Sequence, residues 1–410
     1  MTPPRTYILG GYQTDFARNW SRDGGGLYEL LRAAVEGALE VTAIDPAEVE
    51  AAHIGNFVGE LFAGQGQLGG LFAALHPAFA TIPAARHEAA CASGSMAALA
   101  AGAEIEAGRY DLACVVGVEL MRNVPGDQAA GYLGAAAWAG REAQAARFPW
   151  PALFSRLSEV YDGRYGLKHE HLARIAQLNF ANAKRNPNAQ TRGWTFNDCS
   201  FDEDDTHNPV IEGRIRKQDC GQITDGAVAI LLASERYAAA YARRRGLSLA
   251  TLPTIRGWGH HTAPMLFEDK IAASQGSPYI FPHVRQTIAD ALRRAGIESV
   301  AELGGIETHD CFTITEYMEI DHFGITPPGQ SWRAIEEGAI EPGGRIPINP
   351  SGGLIGGGHP VGASGVRMLL DAYKQVTGTA GAYQVAGART FATLNIGGSA
   401  TTCASFVVGV

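Results

Sequence analysis

A single cysteine among very small residues is the feature of this sequence best suited to covalent chemistry. Cys91 lies in the segment Glu88–Ala97 (EAACASGSMA), where a helix is predicted to begin. Unpaired backbone N–H groups and the positive end of the helix dipole favour a thiolate over a thiol at such a point. Small neighbours also let a bulky substrate approach closely. The segment predicts a reactive cysteine, and a packed core cysteine is the alternative that the same residues allow.

A histidine in a glycine-dense loop is the second candidate. His359 lies in the segment Asn349–Gly365 (NPSGGLIGGGHPVGASG), with a proline after it and a predicted helix beyond. Imidazole can accept a thiol proton and later hydrogen-bond a developing oxyanion. A glycine-rich loop can instead hold phosphate, but neither GxxxxGK[ST] nor a strand-linked GxGxxG is present. A purely structural turn would not need an embedded histidine.

Two more segments lie at the ends of predicted strands. Glu307–Phe312 (ETHDCF) places His309 and Cys311 two residues apart, so both reach one site if the chain bends there. Leu394–Ser399 (LNIGGS) ends in two glycines, a turn that can aim backbone N–H groups at a carbonyl oxygen. Taken alone, the first segment fits core and catalysis equally, and the second is commonly a structural turn.

Composition excludes several classes of function. The formal net charge of -9 argues against a nucleic-acid partner, which would require clustered lysine and arginine. The 6 cysteines are scattered without a CxxC pair, so no metal site is predicted, and the thiols would be free in a reducing compartment. The N-terminus lacks the pattern of a secretory signal, and no apolar run approaches the ~20 residues of a membrane span. We therefore expect a soluble, cytoplasmic protein without a membrane partner.

Alternating strand-like and helix-like stretches predict an α/β architecture with an internal repeat. In the first half, the order strand, helix, strand, small-residue helix, strand, strand is predicted at 6–13, 27–42, 49–58, 92–107, 111–119 and 227–233. The same order is predicted in the second half at 253–259, 283–295, 305–311, 362–376, 391–395 and 402–408. Two stacked copies of one α/β unit, each with a mixed sheet, are the simplest architecture.

The region 121–218 breaks this repeat and is too long for an ordinary connection, so we expect an inserted loop subdomain. Binding elements often lie on such insertions. The predicted division is an N-terminal half of residues 1–120 with 219–248, the insertion, and a C-terminal half of residues 249–410.

The four motifs together, in this order on a duplicated α/β frame, resemble the thiolase superfamily across nearly the whole chain. The resemblance is closest to the sterol-carrier-protein-type thiolases, whose second catalytic segment is HDCF, where most other thiolases have NEAF. It implies a thiolase fold, in which mixed five-stranded sheets and helices form αβαβα layers. It also implies homodimers or homotetramers.

The resemblance assigns roles to individual residues. Cys91 would be the acylated nucleophile and His359 the base that activates it. Cys311 would be the second acid/base. His309 and His359 would flank a first oxyanion hole, and the N–H groups of Cys91 and Gly397 would form a second.

Asn395 departs from the pattern of ordinary thiolases, which have a second catalytic cysteine at this position. A side-chain amide cannot exchange protons as a thiolate does. The acid/base role would therefore pass to Cys311, with Asn395 in a supporting role. Cys403, further along the last predicted strand, is expected to be packed rather than reactive.

The implied activity is acyl transfer between coenzyme A thioesters: thiolytic cleavage of a 3-oxoacyl-CoA, or the reverse Claisen condensation. Coenzyme A would be a co-substrate, with no bound cofactor, and the kinetics would be ping-pong. Basic residues that could meet the nucleotide phosphates are Arg147, Lys168, Arg214 and Lys217, although each also fits a surface charge.

Two alternatives remain at this stage. A ketoacyl-synthase-like condensing enzyme shares the fold, but its usual triads lack the pairing of Gly-His-Pro with His-Asp-Cys-Phe. A non-catalytic or lyase-like subunit working with a small acyl-CoA-binding partner is the other. Such relatives tend to lose the nucleophile, whereas Cys91 is present.

Overall fold

Residues 5–410 are described by a computed structural model in which strands alternate with helices, as the sequence predicts. The strands are β1 Thr6–Gln13, β2 Ala51–Gly55, β3 Ala84–His87, β4 Leu112–Glu119, β5 Val210–Glu212, β6 Ile215–Arg216, β7 Gly226–Ala233, β8 Thr254–Thr262, β9 Gly305–Glu307, β10 Thr390–Gly397 and β11 Thr402–Gly409. The helices are α1 Leu27–Thr42, α2 Gly59–Ala63, α3 Leu68–Ala73, α4 Ser93–Glu106, α5 Gly126–Leu133, α6 Pro149–Tyr165, α7 His169–Ala183, α8 Glu235–Arg245, α9 Phe267–Ala273, α10 Pro282–Ala295, α11 Thr313–Phe323, α12 Ser331–Glu336 and α13 Ser364–Thr377.

One mixed sheet runs through both halves of the chain. Its 9 strands lie in the order β3-β2-β4-β7-β1-β8-β11-β10-β9. The halves join where β1 pairs antiparallel with β8, with Thr6 opposite Ile255. At the far edge, beyond β9, a fifth strand of the second half is reduced to a single parallel bridge between Ile306 and Ile348. The predicted α/β class and duplicated unit are confirmed.

The sheet is covered on both faces, which explains its composition. Strands β4 and β7 are buried at every position, as expected of near-continuous apolar runs enclosed by helices. The small-residue helix α4 and helix α13 share one core between the two halves. They approach so closely that a Cβ on Gly94 would lie 2.8 Å from the carbonyl oxygen of Gly362. Helices α1 and α10 pack against the opposite face.

Strand β9 is shorter than the predicted strand at 305–311, because the chain leaves the sheet after Glu307. The N–H of Thr308 donates to Oδ1 of Asn349 at 2.8 Å, and the N–H of His309 donates to Glu319 at 3.1 Å. The two backbone N–H groups thus bond to side-chain oxygens instead of to a neighbouring strand. The bend that would bring His309 and its neighbour into one site is therefore present.

The region 121–218 contains α5, α6, α7 and the small hairpin β5–β6. Its boundaries as a separate subdomain stay a prediction. Among residues 5–410, no helix combines the length and apolar character needed to cross a membrane.

Candidate active site

Cys91 lies in a short 3₁₀ turn, Ala90–Ala92, that leads directly into α4. Ala90 adopts a left-handed backbone with φ of 51°. Its N–H donates to Oε1 of Glu88 at 2.7 Å, and its carbonyl accepts from the Ser93 hydroxyl at 2.6 Å. The strained turn leaves Cys91 half-buried on the wall of a cavity of about 390 Å³.

The fold brings the Cys91 sulfur together with two histidines from distant segments. The sulfur and one ring nitrogen each of His309 and His359 lie within 4.8 Å of one another. The two imidazole rings meet edge to face, with centroids 5.2 Å apart and planes at 87°. Of the residues predicted from the motifs, these three form one cluster.

Hydrogen bonds fix the proton of His359 on Nδ1. This nitrogen lies 2.7 Å from Oγ of Ser364, whose hydroxyl donates to the carbonyl of Pro360 at 3.2 Å. The Ser364 oxygen must therefore accept from Nδ1–H, which leaves a lone pair on Nε2. Nε2 is buried without a hydrogen-bond partner. Burial, with a further contribution from Arg367, lowers the pKa of His359 to about 3, so the ring is a neutral base at rest.

His309 holds its proton on the other ring nitrogen. Its Nδ1 lies 3.3 Å from the backbone N–H of Ile396 and 3.0 Å from the side-chain nitrogen of Asn395. Because a backbone N–H can only donate, Nδ1 is the acceptor and Nε2 carries the proton. The amide oxygen of Asn395 accepts from the Ser95 hydroxyl at 2.8 Å, which orients the amide. Burial keeps the pKa of His309 well below its usual value, so this ring is also neutral.

The cluster suits proton transfer better than metal binding. A thiolate and two imidazoles at this spacing could form the protein part of a zinc site, which needs a lone pair from each ligand. On His309, Nδ1 is occupied by two donors and Nε2 carries the proton. The site therefore offers one acceptor, on His359, and one donor, on His309, beside the thiol of Cys91.

Cys311 lines the same cavity as Cys91, as its position after the bend predicts. Its side chain is buried, and its sulfur lies 3.8 Å from Oγ1 of Thr315. Its carbonyl accepts from the N–H of Gly221 at 2.8 Å, which fixes the backbone. Burial, with a further contribution from Cys91, raises the pKa of Cys311 well above its usual value. This sulfur therefore carries a proton that it can donate.

The glycine turn after β10 lies on the same cavity wall as Cys91, because Gly398 lines that cavity. Burial raises the pKa of the Cys91 thiol to about 12, and the backbone N–H of Gly398 opposes that rise. Gly397 packs so tightly that a Cβ there would lie 2.1 Å from the carbonyl oxygen of Ala89. The oxyanion role assigned to the Gly397 N–H stays a prediction.

Two supporting residues were not singled out from the sequence. Ser364 lies five positions after His359 inside the same motif, so the spacing of that motif could have indicated it. Glu119, at the end of β4, is buried and accepts from the N–H groups of Phe57 at 2.9 Å and Gly362 at 3.1 Å. Burial raises its pKa to about 7. It joins the first half of the chain to the loop that carries the histidine.

The cavity wall is mainly apolar and comes partly from the region 121–218. Aromatic side chains on it are Phe57, Phe148, Trp150, Phe154 and Phe312. Its volume of about 390 Å³ lies in the range of small-molecule sites. A hydrophobic acyl group would fit this environment next to the sulfur of Cys91.

The four basic residues considered for phosphate binding lie in two kinds of surroundings. Arg147, Lys168 and Arg214 each form an ion pair with an exposed or half-exposed carboxylate. Lys217 instead lines the cavity, and no carboxylate of residues 5–410 other than Asp198, whose side chain is not described, lies within 4.0 Å of its ammonium. Of the four basic residues, Lys217 is the one on the cavity wall.

Comparison with known proteins agrees with this architecture. Residues 6–193 match the family model described as thiolase, N-terminal domain, and residues 268–410 match thiolase C-terminal domain-like. An acetyl-CoA acetyltransferase of Methanothermobacter thermautotrophicus is 30% identical over 97% of each chain. Human sterol carrier protein 2 is 27% identical over 96% of this chain and 70% of its own length.

Solved structures share the fold along the whole chain. An Ltp2–ChsH2(DUF35) aldolase chain is 20% identical with a TM-score of 0.77, and the alignment covers 99% of this chain and 98% of that one. An acetyl-CoA acetyltransferase from Syntrophomonas wolfei is 17% identical with a TM-score of 0.66, covering 99% of both. The duplicated α/β arrangement is thus the thiolase fold, and the chain belongs to the thiolase family.

Proposed function

We propose that this protein is a thiolase-type acyltransferase that carries an acyl group from coenzyme A thioesters on the sulfur of Cys91. The observation that carries the proposal is the pairing of two neutral imidazoles around that thiol. His359 presents a lone pair and His309 presents an N–H. The relatives named acetyl-CoA acetyltransferase support the same reaction class, thiolytic cleavage of a 3-oxoacyl-CoA or the reverse condensation.

Acylation begins from an uncharged pair. As the Cys91 sulfur attacks the 3-keto carbon, its proton passes to Nε2 of His359. Burying a thiolate or an imidazolium alone would cost desolvation free energy. Their mutual attraction offsets part of that cost when they form as a pair. The S–C bond forms, and the bond between carbons 2 and 3 then breaks and releases the enolate of the shorter thioester. The N–H of His309 would stabilise the enolate oxygen.

The second half of the reaction restores every proton. The thiol of Cys311 protonates the enolate carbon, which gives acetyl-CoA and a Cys311 thiolate. Free coenzyme A then gives its thiol proton to Cys311 and attacks the acyl group. The Cys91 sulfur leaves and recovers its proton from His359. The sum is one 3-oxoacyl-CoA and one coenzyme A converted to two thioesters.

Coenzyme A would enter along the wall formed by the region 121–218. Lys217 is the residue that we propose for contact with its phosphates, because it is the one of the four basic residues that lines the cavity. The apolar wall near Phe148 and Trp150 would receive the acyl chain. A homodimeric or homotetrameric state, a small acyl-CoA-binding partner protein and a cytoplasmic location are further parts of this proposal, drawn from the family resemblance.

The test is intact-mass measurement after mixing the protein with acetoacetyl-CoA and with longer 3-oxoacyl-CoA thioesters. We expect a covalent acyl adduct that free coenzyme A removes. The adduct should be absent from Cys91→Ala and present in Cys199→Ala, which replaces an exposed cysteine. A panel that yields no adduct on the wild-type protein would reject acyl transfer and favour the lyase-like or binding-subunit alternative.

A further inference from the structure

The turn between β10 and β11 forms part of the active-site wall, because Gly398 lines the same cavity as Cys91. Two of its residues have left-handed backbones, Gly398 with φ of 64° and Ala400 with φ of 61°. An alanine resists this conformation, since its Cβ crowds the following carbonyl oxygen. The turn therefore needs contacts from elsewhere in the fold to keep its shape.

Lys270 on α9 supplies most of these contacts. Its side chain is only 2% exposed. Its ammonium donates to the hydroxyl of Ser399 at 2.7 Å, to the hydroxyl of Thr401 at 3.0 Å and to the carbonyl of Met265 at 2.8 Å. Each of its three N–H bonds thus has an acceptor, and two of the three acceptors belong to the turn.

A second side chain binds the turn between these two hydroxyls. The Nε2 atom of His283, on α10, lies 2.8 Å from the carbonyl oxygen of Ala400. That nitrogen must carry a proton in order to donate to a carbonyl. Lys270 and His283 therefore hold three consecutive residues of the turn.

Burying the ammonium of Lys270 costs free energy, and packing of the core does not require a lysine at this position. Lysine is almost never fully buried unless it is paired with an opposite charge. No carboxylate of residues 5–410 other than Asp198, whose side chain is not described, lies within 4.0 Å of this ammonium, and burial lowers its pKa to about 8. An apolar side chain of similar length would fill the same space without that cost. The three directed hydrogen bonds are what lysine adds.

We propose that Lys270 is a positioning residue, which orients the Gly398–Thr401 turn so that the Gly398 N–H meets the carbonyl oxygen of the acyl group on Cys91. The inference rests on the proposed function, since it requires an acyl-enzyme. An oxyanion donor works only when it lies about 2.7–3.1 Å from the position that the oxygen will occupy. A displacement of ~1 Å can cost about 100-fold in rate.

The two half-reactions provide a selective test. Acyl transfer at Cys91 depends on the Gly398 N–H, whereas exchange of the α-protons of acetyl-CoA depends on Cys311 and His309. We would measure Lys270→Met by quenched-flow intact mass for acylation, and by deuterium exchange into acetyl-CoA on pre-acylated protein. We expect acylation to slow by roughly 10- to 100-fold, with exchange within about twofold of wild type. Lys184→Met, at an exposed lysine, is the matched control and should change neither rate.

The outcomes separate this inference from the proposed function. Equal losses of acylation and exchange in Lys270→Met would indicate general damage and overturn the positioning role, as would unchanged acylation. If Lys270→Met does not fold, Ser399→Ala decides, because it keeps the lysine and removes one acceptor in the turn. A selective loss of acylation there supports the inference, and wild-type acylation overturns it. A wild-type protein that forms no adduct rejects the proposed function itself.

Discussion

The side-chain nitrogen of Asn395 donates a hydrogen bond to Nδ1 of His309 across 3.0 Å. This contact, with the parallel one from the N–H of Ile396, keeps the proton of His309 on Nε2. Ordinary thiolases have a catalytic cysteine at the position of Asn395. The amide moves no proton here, and its effect is to decide which nitrogen of a neighbouring ring can donate.

Asn395→Asp should reverse the tautomer of His309. A carboxylate at this position would draw the ring proton to Nδ1, which leaves a lone pair on Nε2 where an oxyanion donor is needed. We expect turnover of a 3-oxoacyl-CoA to fall by ~10²–10³-fold with the fold retained. Asn19→Asp is the matched control, since its Oδ1 accepts from the Arg22 N–H and an aspartate can do the same. Wild-type turnover in Asn395→Asp would show that the tautomer is not needed.

Cys311→Ser should separate acylation from proton exchange. A serine hydroxyl is far less acidic than a thiol, so it cannot protonate and deprotonate the α-carbon. We expect normal formation of the acyl adduct by intact mass, and loss of deuterium exchange into acetyl-CoA. Cys199→Ser serves as the control, because that sulfur is exposed and does not line the cavity. Normal exchange in Cys311→Ser would assign the acid/base role elsewhere.

The pH dependence of Cys91 alkylation should show that Cys91 and His359 are both uncharged before substrate binds. Burial raises the pKa of its thiol to about 12 and lowers that of His359 to about 3, so no thiolate–imidazolium pair exists before substrate binds. The rate of iodoacetamide labelling at Cys91 should rise by about tenfold per pH unit from neutral pH to at least pH 10. Peptide mapping distinguishes this adduct from one on exposed Cys199. A plateau starting below pH 7 would instead reveal a pre-formed ion pair.

The buried carboxyl of Glu316 should make stability depend on pH. Burial, together with Asp310, raises its pKa from 4.5 to about 8 in the folded protein. Between these values the folded state holds a proton that the unfolded chain has released, so stability falls as pH rises. Each such group contributes a slope of up to about 1.4 kcal/mol per pH unit.

Glu316→Gln should therefore show a shallower decline in the free energy of unfolding between pH 5 and pH 8. The amide oxygen can still accept from Asn179 and Asn349, which now lie 2.7 and 2.8 Å from the carboxylate. Urea unfolding at several pH values measures the slope, with Glu337→Gln, at an exposed position, as control. An unchanged slope would mean that Glu316 is ionised in the folded protein.

Much of the fold could be predicted from periodicity and repetition. Strand β1 and helix α1 have the predicted limits, because alternating and amphipathic apolar residues mark them clearly. Helix α11 gave no comparable signal. Every residue from Thr313 to Phe323 is buried, including Glu316, Glu319 and Asp321, so its polar side chains mark no solvent-facing side. The Glu316 carboxylate accepts from Asn179 and Asn349, which are far away in sequence, so no local pattern reveals these contacts.

The catalytic candidates were more predictable than the groups that orient them. The candidates Cys91, His309, Cys311 and His359 lie in recognisable motifs. Three of them, Cys91, Cys311 and His359, line one cavity. His309 lies within 4.8 Å of the Cys91 sulfur through one ring nitrogen. Lys270 lies in an unremarkable stretch, and its importance appears only when α9 is placed against the turn after β10.

The continuous sheet has a consequence for how activity arises. The chain before β8 supplies the nucleophile, and the chain after it supplies both imidazoles and the second thiol. A polypeptide cut between α8 and β8 would yield two fragments. The first would contain the nucleophile Cys91, and the second would contain His309 and His359. Recovery of acyl transfer on mixing would then measure the docking of the fragments. In the intact chain, the pairing of β1 with β8 is the contact that joins the two halves, so it brings the nucleophile and the imidazoles together.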